Sequence, residues 1–357
     1  MCTRLHRHTV CCLLPPHILH AVAKNGTAQQ KRDAKRTLEI DTASRARRAT
    51  ESQQLLAAAR RRKPGEANAV LKRTIYDGGK HETLPGRPVR GEGAAASRDV
   101  AVNQAYDGLG ATFKFYFDVL GRNSVDGHGM AINATVHHGD PYNNAQWTGT
   151  EMIFGDGDGT TFAGFTTALD VIAHELTHGV NRHEANLLNR DQSGALCESF
   201  SDVMASLVKQ YKHGQDVHAA DWLIGKGMLV GYPDQAFRSL KAPGTAYDNK
   251  LIHKDPQPAR MADFVATKED DGGIHINSGI PNHAFYLAAK ALGGHAWEKA
   301  GRIWYDTICD EKLSATANFA AFAGRTVFNA GQRFGAGSHE QKAVSEAWKE
   351  VGVTPQH

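Results

Sequence analysis

The chain has 357 residues, 41% of them apolar and 22% charged, which excludes a disordered or collagen-like polymer and leaves room for about two domains. Its net charge of +3 hides a division: residues 1–73 hold 16 Lys and Arg against 5 Asp and Glu, whereas residues 74–357 hold 25 against 33. A local +11 beside a local −8 excludes a uniformly basic nucleic-acid binder and sets the first 73 residues apart.

The N-terminus imitates a secretory leader, with Arg4 and Arg7 ahead of an apolar run from Thr9 to Leu14 and Ala21-Val22-Ala23 as a cleavage box. Pro15-Pro16 and His17 interrupt that run early, so the chain is expected in the cytoplasm, or outside the cell by a route without a classical signal peptide. Cys2, Cys11, Cys12, Cys197 and Cys309 are too few and too irregular for a disulfide framework. No stretch approaches the roughly 18 apolar residues that span a bilayer. Neither a nucleic-acid nor a membrane partner is expected, and a monomer suffices.

From Ala21 to about Arg62, Ala, Gln, Lys and Arg with spaced Leu and Ile predict one or two basic helices, and Lys63-Pro64-Gly65-Glu66 reads as a linker. From Val70 the pattern changes to short alternating segments divided by Asp-Gly and Gly-rich turns, which predicts a β-rich lobe. Within it the run Phe113, Phe115, Tyr116, Phe117, Val119 and Leu120 suits a buried helix and a buried strand equally. Helical periodicity then dominates over residues 166–183, 195–212, 280–292, 295–309, 315–330 and 338–351.

His174-Glu175-Leu176-Thr177-His178 lies in the first of these helices. Residues i and i+4 share a helix face, so both imidazoles reach one metal while Glu175 stands beside them. Two neutral imidazoles suit zinc, and a catalytic zinc wants a third protein ligand with one position left for water. Glu198, on the next helix, supplies it, and Asp202 one turn later is placed to accept the other N–H of a ligand imidazole.

With Glu198 at this distance from His174, the constellation resembles that of the thermolysin-like zinc metalloproteases. Tyr142-Asn143-Asn144-Ala145-Gln146-Trp147 is similar to the family's substrate-binding edge strand, on which Asn144 and the Ala145 carbonyl would hold an extended peptide. Asp156-Gly157-Asp158-Gly159 reads as the following turn rather than a calcium loop, because it lacks the later bidentate Glu. Asp270-Asp271-Gly272-Gly273-Ile274-His275 resembles the family's second active-site histidine segment, and Phe237-Arg238-Ser239-Leu240 its arginine segment.

The resemblance covers about residues 70–354. It implies an α+β fold of two lobes, a β-rich lobe over 70–183 ending in the zinc helix and an α-helical lobe over 184–357, with the site in the cleft. The implied reaction is peptide hydrolysis by a zinc-bound water, with Glu175 as general base and then acid and His275, oriented by Asp270, stabilising the oxyanion. Arg238 would bind the substrate carbonyl on the leaving side. Phe162, Phe165, Val171, Ile224 and Phe237 would line the pocket after the scissile bond, which implies cleavage on the amino side of bulky hydrophobic residues.

Three departures from the family pattern bear on this expectation. The tyrosine that helps hold the oxyanion in many relatives falls at Asn189, so a weak or inactive zinc-binding homologue is the alternative. The paired-calcium cluster keeps Asp170 and Asp221 but has Lys209, Leu223 and Lys226 at its other positions, so two ammonium groups are expected in place of calcium. Residues 1–50 resemble the short propeptide of the protealysin-like branch, with Pro15-Pro16-His17-Ile18-Leu19 where the branch has two prolines followed by a tyrosine. That segment would plug the cleft of its own chain until a cut between about Ala43 and Ala69, with 51–69 as activation linker. The charge contrast would help dock it, making release salt-sensitive. Cys11 and Cys12 offer a thiolate that could cap the zinc.

Overall fold

The structure is a computed structural model that describes residues 12–59 and 71–356, with side chains 45–59 outside that description. The predicted linker at Lys63, Cys2 and Cys11, and residues 60–69 of the expected cut region also lie outside it.

The described chain opens with a helical hairpin. Pro16 occupies the first turn of α1 (Pro16–Asn25), where its fixed φ and missing N–H cost nothing. α2 (Ala28–Ala59) starts with a reciprocal capping pair, Thr27 N–H on Gln30 Oε1 and Gln30 N–H on Thr27 Oγ1. Ile18, Leu19, Val22, Ala34 and Ile40 turn inward and are fully buried.

The first lobe is a five-stranded mixed sheet ordered β2-β1-β3-β5-β4: β1 Arg73–Asp77, β2 Arg87–Gly91, β3 Ile132–Val136, β4 Ala145–Trp147 and β5 Met152–Phe154. β1 runs parallel to β3 and β3 to β5, whereas β2 and β4 are antiparallel edges. The ambiguous aromatic run is helical. It belongs to α3 (Val100–Leu120), capped by the Asp99 carboxylate on Ala101 N–H and closed by Gly121 at φ 69°. α4 (Leu169–His183) and α5 (Asp191–His213) form an antiparallel pair at the cleft floor. Gly179 makes the seat of α4 possible, because a Cβ there would lie 2.6 Å from Val125 and 3.0 Å from Trp147 of the edge strand.

The second lobe adds two small ladders, β6 (Leu223–Ile224) with β7 (Arg238–Ser239) and β8 (Asp248–Asn249) with β9 (His253–Lys254). Then follow α6 (Asp270–Asn277), α7 (Gly279–Leu292), α8 (Ala300–Ile308), α9 (Phe319–Phe334) and α10 (His339–Glu350). Their core centres on Trp304 stacked on Trp348, whose indole N–H reaches Thr326 at 2.8 Å. Among the described residues, no helix is long and apolar enough to cross a membrane.

One expected feature is corrected here. Of the two lysines, Lys209 bridges Asp170 and Asp221, with Nζ 2.9 Å from Asp170, 3.0 Å from Asp221 and 2.6 Å from the Leu223 carbonyl. Lys226 follows the turn at Gly225 and is exposed, so a second ammonium does not enter the cluster.

Candidate metal centre and its filled cleft

α4 and α5 bring together three potential ligand atoms, the Nε2 atoms of His174 and His178 and a carboxylate oxygen of Glu198, all within 4.8 Å of one another. The two Nε2 atoms are 3.0 Å apart, and Glu198 lies 3.4 Å from His174 and 3.7 Å from His178. Among the described residues no donor hydrogen-bonds to either buried Glu198 oxygen. A buried carboxylate without a donor, facing two imidazole nitrogens, is a set that a zinc ion would satisfy.

Asp202 lies 2.9 Å from His174 Nδ1. Arg238 grips the same carboxylate through Nε at 2.7 Å and Nη2 at 2.8 Å, and Asn282 donates to it at 2.9 Å. Burial alone would raise the Asp202 pKa, but Arg238 and His174 hold it well below the usual carboxylate range. The His178 ring has a different support: its Nδ1 faces Ser201 Oγ at 3.1 Å and Cys197 Sγ at 3.4 Å. The sequence reading missed both residues, although Cys197 and Ser201 stand one turn apart on one face of α5. Glu175 is not in the ligand set; its Oε2 accepts from Trp147 N–H at 2.8 Å, so it lies between the zinc helix and the edge strand.

α6 presents His275. Asp270, Asp271, Gly272 and Gly273 all have positive φ, coiling the backbone so that Asp270 accepts from both His275 N–H at 2.9 Å and His275 Nδ1 at 2.6 Å. Gly272 is required there, since a Cβ would meet Asp191 at 2.5 Å. Burial opposes the charge on His275, but Asp270 and Glu198 raise its pKa to about 9. Gln257, also missed from sequence, donates to the His275 carbonyl at 2.8 Å.

The cleft is filled by the chain's own N-terminal segment. Cys12 forms an antiparallel bridge with Gln146 on the free edge of β4. Leu14 N–H donates to Asn144 Oδ1 at 3.0 Å, and Leu13 N–H faces the Ala145 carbonyl at 3.5 Å. Arg238 Nη1 donates to the Leu13 carbonyl at 2.8 Å, and His275 Nε2 lies 3.0 Å from the Cys12 carbonyl. The His275 ring faces Asp270 at Nδ1, and the Cys12 carbonyl and, at 3.5 Å, Glu198 at Nε2, all oxygen acceptors, an arrangement that a doubly protonated imidazolium satisfies.

Pro15 to Leu19 therefore lie outside the strand position and begin α1, where His17 Nε2 meets Tyr247 at 3.0 Å. The helical hairpin reaches both lobes: Asp41 accepts from Tyr142 and Asn144, Thr37 from Asn143 N–H, and Asn25 donates to the Leu251 carbonyl. The Cys12 thiol is not a member of the ligand set; it points to the Leu14 carbonyl and Asp41.

Phe162, Phe165, Val171, Ile224 and Phe237 are all buried and belong to one apolar core with Leu13 and Leu14. Phe162 packs 6.3 Å from Phe165 and 6.2 Å from Phe237 between ring centroids. Asn189 is half-buried in the turn ahead of α5, with its backbone against Gly194. The Asp158 carboxylate caps its own turn by accepting from Thr160 and Thr161 N–H.

A family model described as the thermolysin metallopeptidase catalytic domain matches residues 25–182, and one for its alpha-helical domain matches 185–353. An extracellular metalloprotease of Pectobacterium carotovorum subsp. carotovorum is 48% identical over 349 residues, 96% of each chain. A thermolysin of Bacillus caldolyticus is 35% identical over 78% of this chain and 50% of its own. Among solved structures, the precursor of protealysin, a metalloproteinase from Serratia proteamaculans, superposes with a TM-score of 0.87 at 47% identity, covering 96% of this chain and 100% of its own.

Proposed function

The chain belongs to the thermolysin metallopeptidase family and is a metalloendopeptidase; on that premise we propose that it cleaves on the amino side of bulky hydrophobic residues and is made as a proenzyme. In this reading the chain divides into a propeptide over 1–50, an activation linker over 51–69, and catalytic lobes over 70–183 and 184–357, with α2 running on through the first boundary to Ala59. The observation that carries this reading is the paired arrangement of the cleft, a ligand set of His174, His178 and Glu198 beside a backbone carbonyl directed at His275.

Zinc held by His174, His178 and Glu198 would supply a Lewis acid and a water acidic enough to attack near neutral pH. Glu175 takes the proton of the attacking water and delivers it to the leaving amine. Imidazolium His275 donates to the carbonyl oxygen as negative charge grows there, and Asn189 is the candidate for a second donor. Asn144, the Ala145 carbonyl and Arg238 hold the substrate backbone, as they hold residues 12–14. Apolar walls at Phe162, Phe165, Val171, Ile224 and Phe237 favour a large apolar side chain after the bond.

The propeptide acts as an intramolecular inhibitor by covering the edge strand, and the names of the relatives carry to this chain as an enzyme that works outside the cell. Lys209 takes the place of paired calcium, so a chelator that spares zinc leaves the melting temperature unchanged; a large drop would contradict this. The deciding experiment replaces Glu175 by Ala. Loss of peptide cleavage by at least about 10³-fold with one zinc still bound supports the assignment. Activity surviving in that variant would overturn Glu175 as the base, and zinc bound without any turnover in the wild type would favour a binding protein.

A further inference from the structure

We propose that the protein carries a substrate within its own cleft: the Cys12–Leu13 peptide bond stands in the cutting register and is hydrolysed in cis. This inference rests on the peptidase reading above and names one bond that the site acts on.

Contacts from both sides of the cleft identify that bond. The oxyanion donor His275 faces the Cys12 carbonyl at 3.0 Å, and Arg238, which holds the carbonyl on the leaving side, donates to the next one, that of Leu13, at 2.8 Å. On the opposite wall, Leu13 N–H faces the Ala145 carbonyl and Leu14 N–H reaches Asn144. A slip of one residue would exchange the faces of the strand and break both sets together. The side chain after the bond is that of Leu13, fully buried in the apolar core shared with Phe162, Phe165 and Phe237. An ordinary substrate would present the same features in the same order.

The step needs one water and no other reactant. The water oxygen bonds to the Cys12 carbonyl carbon, and the bond from that carbon to Leu13 N breaks. Glu175 moves one proton of the water to that nitrogen and the second follows from the new carboxyl group, leaving a carboxylate on Cys12 and an ammonium on Leu13. The leaving side stays in place. Pro15 leads into α1, which is tied down by His17 on Tyr247 and Asn25 on the Leu251 carbonyl. Leu13 and Leu14 keep their bonds to Arg238 and Asn144 after the cut. The nicked chain is thus still blocked on the leaving side, so a self-cut at Cys12–Leu13 is compatible with a segment that inhibits until it is removed at a later position.

The test incubates the zinc-loaded full-length chain over a hundredfold range of concentration and reads intact mass and N-terminal sequence. The expected result is a new N-terminus at Leu13, formed at a concentration-independent rate, absent in Glu175→Ala and lost in Leu13→Asp, whose charge the apolar pocket rejects. A chain that cleaves an added apolar peptide after trypsin activation yet stays intact at Cys12–Leu13, or is cut there in proportion to its concentration, overturns the inference and leaves the peptidase reading standing. Absence of all cleavage overturns both. A second readout needs no turnover: in the metal-free chain, alkylation of Cys12 is expected to be at least tenfold slower than in the urea-unfolded chain, with protection lost in Leu13→Asp. Equal rates in the wild type would overturn the register.

Discussion

On the wall of the cleft, His174, Glu198, Asp202 and Arg238 are fully buried groups whose charges compensate one another, and each is held by contacts from at least one other element. The segment opposite, residues 12 to 44, is attached by other means. Its buried face is Leu13, Leu14, Ile18, Leu19, Val22 and Ile40; its polar contacts are made through the backbone of residues 12–14 and through the side chains of Thr37, Asp41, Asn25 and His17, and the ion pair from Arg36 to Glu82 is partly exposed. The wall is built to stay as it is, whereas the plug is attached by forces that a few changes can loosen. Among the described residues of this segment, buried apolar side chains therefore contribute more to the attachment than the partly exposed ion pair does.

Substitutions separate the two regions. Arg238→Ala should have the largest effect, because it strands the Asp202 carboxylate in the interior; a loss of about 3–5 kcal/mol in unfolding free energy by denaturant titration is expected. An effect confined to the propeptide would break the comparison. On the plug, Leu14→Ala should weaken docking by about 2–5 kcal/mol without lowering the stability of the catalytic lobes. Hydrogen exchange over residues 13–22 against the rest of the chain reads this directly.

His17 gives the plug a pH dependence. Burial pushes its pKa from 6.5 down to about 4 when docked, with Asp270 opposing and His275, Arg238 and His20 assisting, while Tyr247 shares its Nε2. The docked state thus binds the proton less well than the free one. Docking is at full strength above pH 6.5 and is lost as pH falls towards 4, with a weakening of about 30-fold at pH 5. Exchange over residues 13–22, corrected for its intrinsic pH dependence, should show this in the wild type and lose it in His17→Tyr; the same pH dependence in that variant would remove His17 from the account. Salt should have the smallest effect, below about 1 kcal/mol for the exposed Arg36 to Glu82 pair. A steep salt dependence would restore the charge contrast as the docking force.

Much of the wall was legible from sequence because spacing along a helix dictates it. His174 and His178 share a face of α4, and Glu198 and Asp202 share one of α5, so helical periodicity carries the ligand set and its carboxylate partner. What spacing does not carry was missed: Gln257 behind His275, Asn282 on Asp202, and the Cys197 and Ser201 pair against His178. α6 was not read as a helix because Gly272 and Gly273 carry no helical preference, and only the fold makes their left-handed turns useful. α3 was ambiguous at Phe113 to Leu120 since its amphipathic signal begins earlier, near Val102. The plug was legible as a segment but not in its seating, since Pro15 to Leu19 form the conspicuous motif and Cys12 to Leu14 occupy the strand.

The central claim is that a single metal on His174, His178 and Glu198 makes this cleft catalytic. Titrating the metal-free, activated protein with zinc while following cleavage of an apolar peptide tests it most directly. Activity should rise linearly and level off at one equivalent, and Glu198→Gln should need at least about a hundredfold more free zinc. Full activity without zinc, or an unchanged zinc requirement in Glu198→Gln, would contradict it.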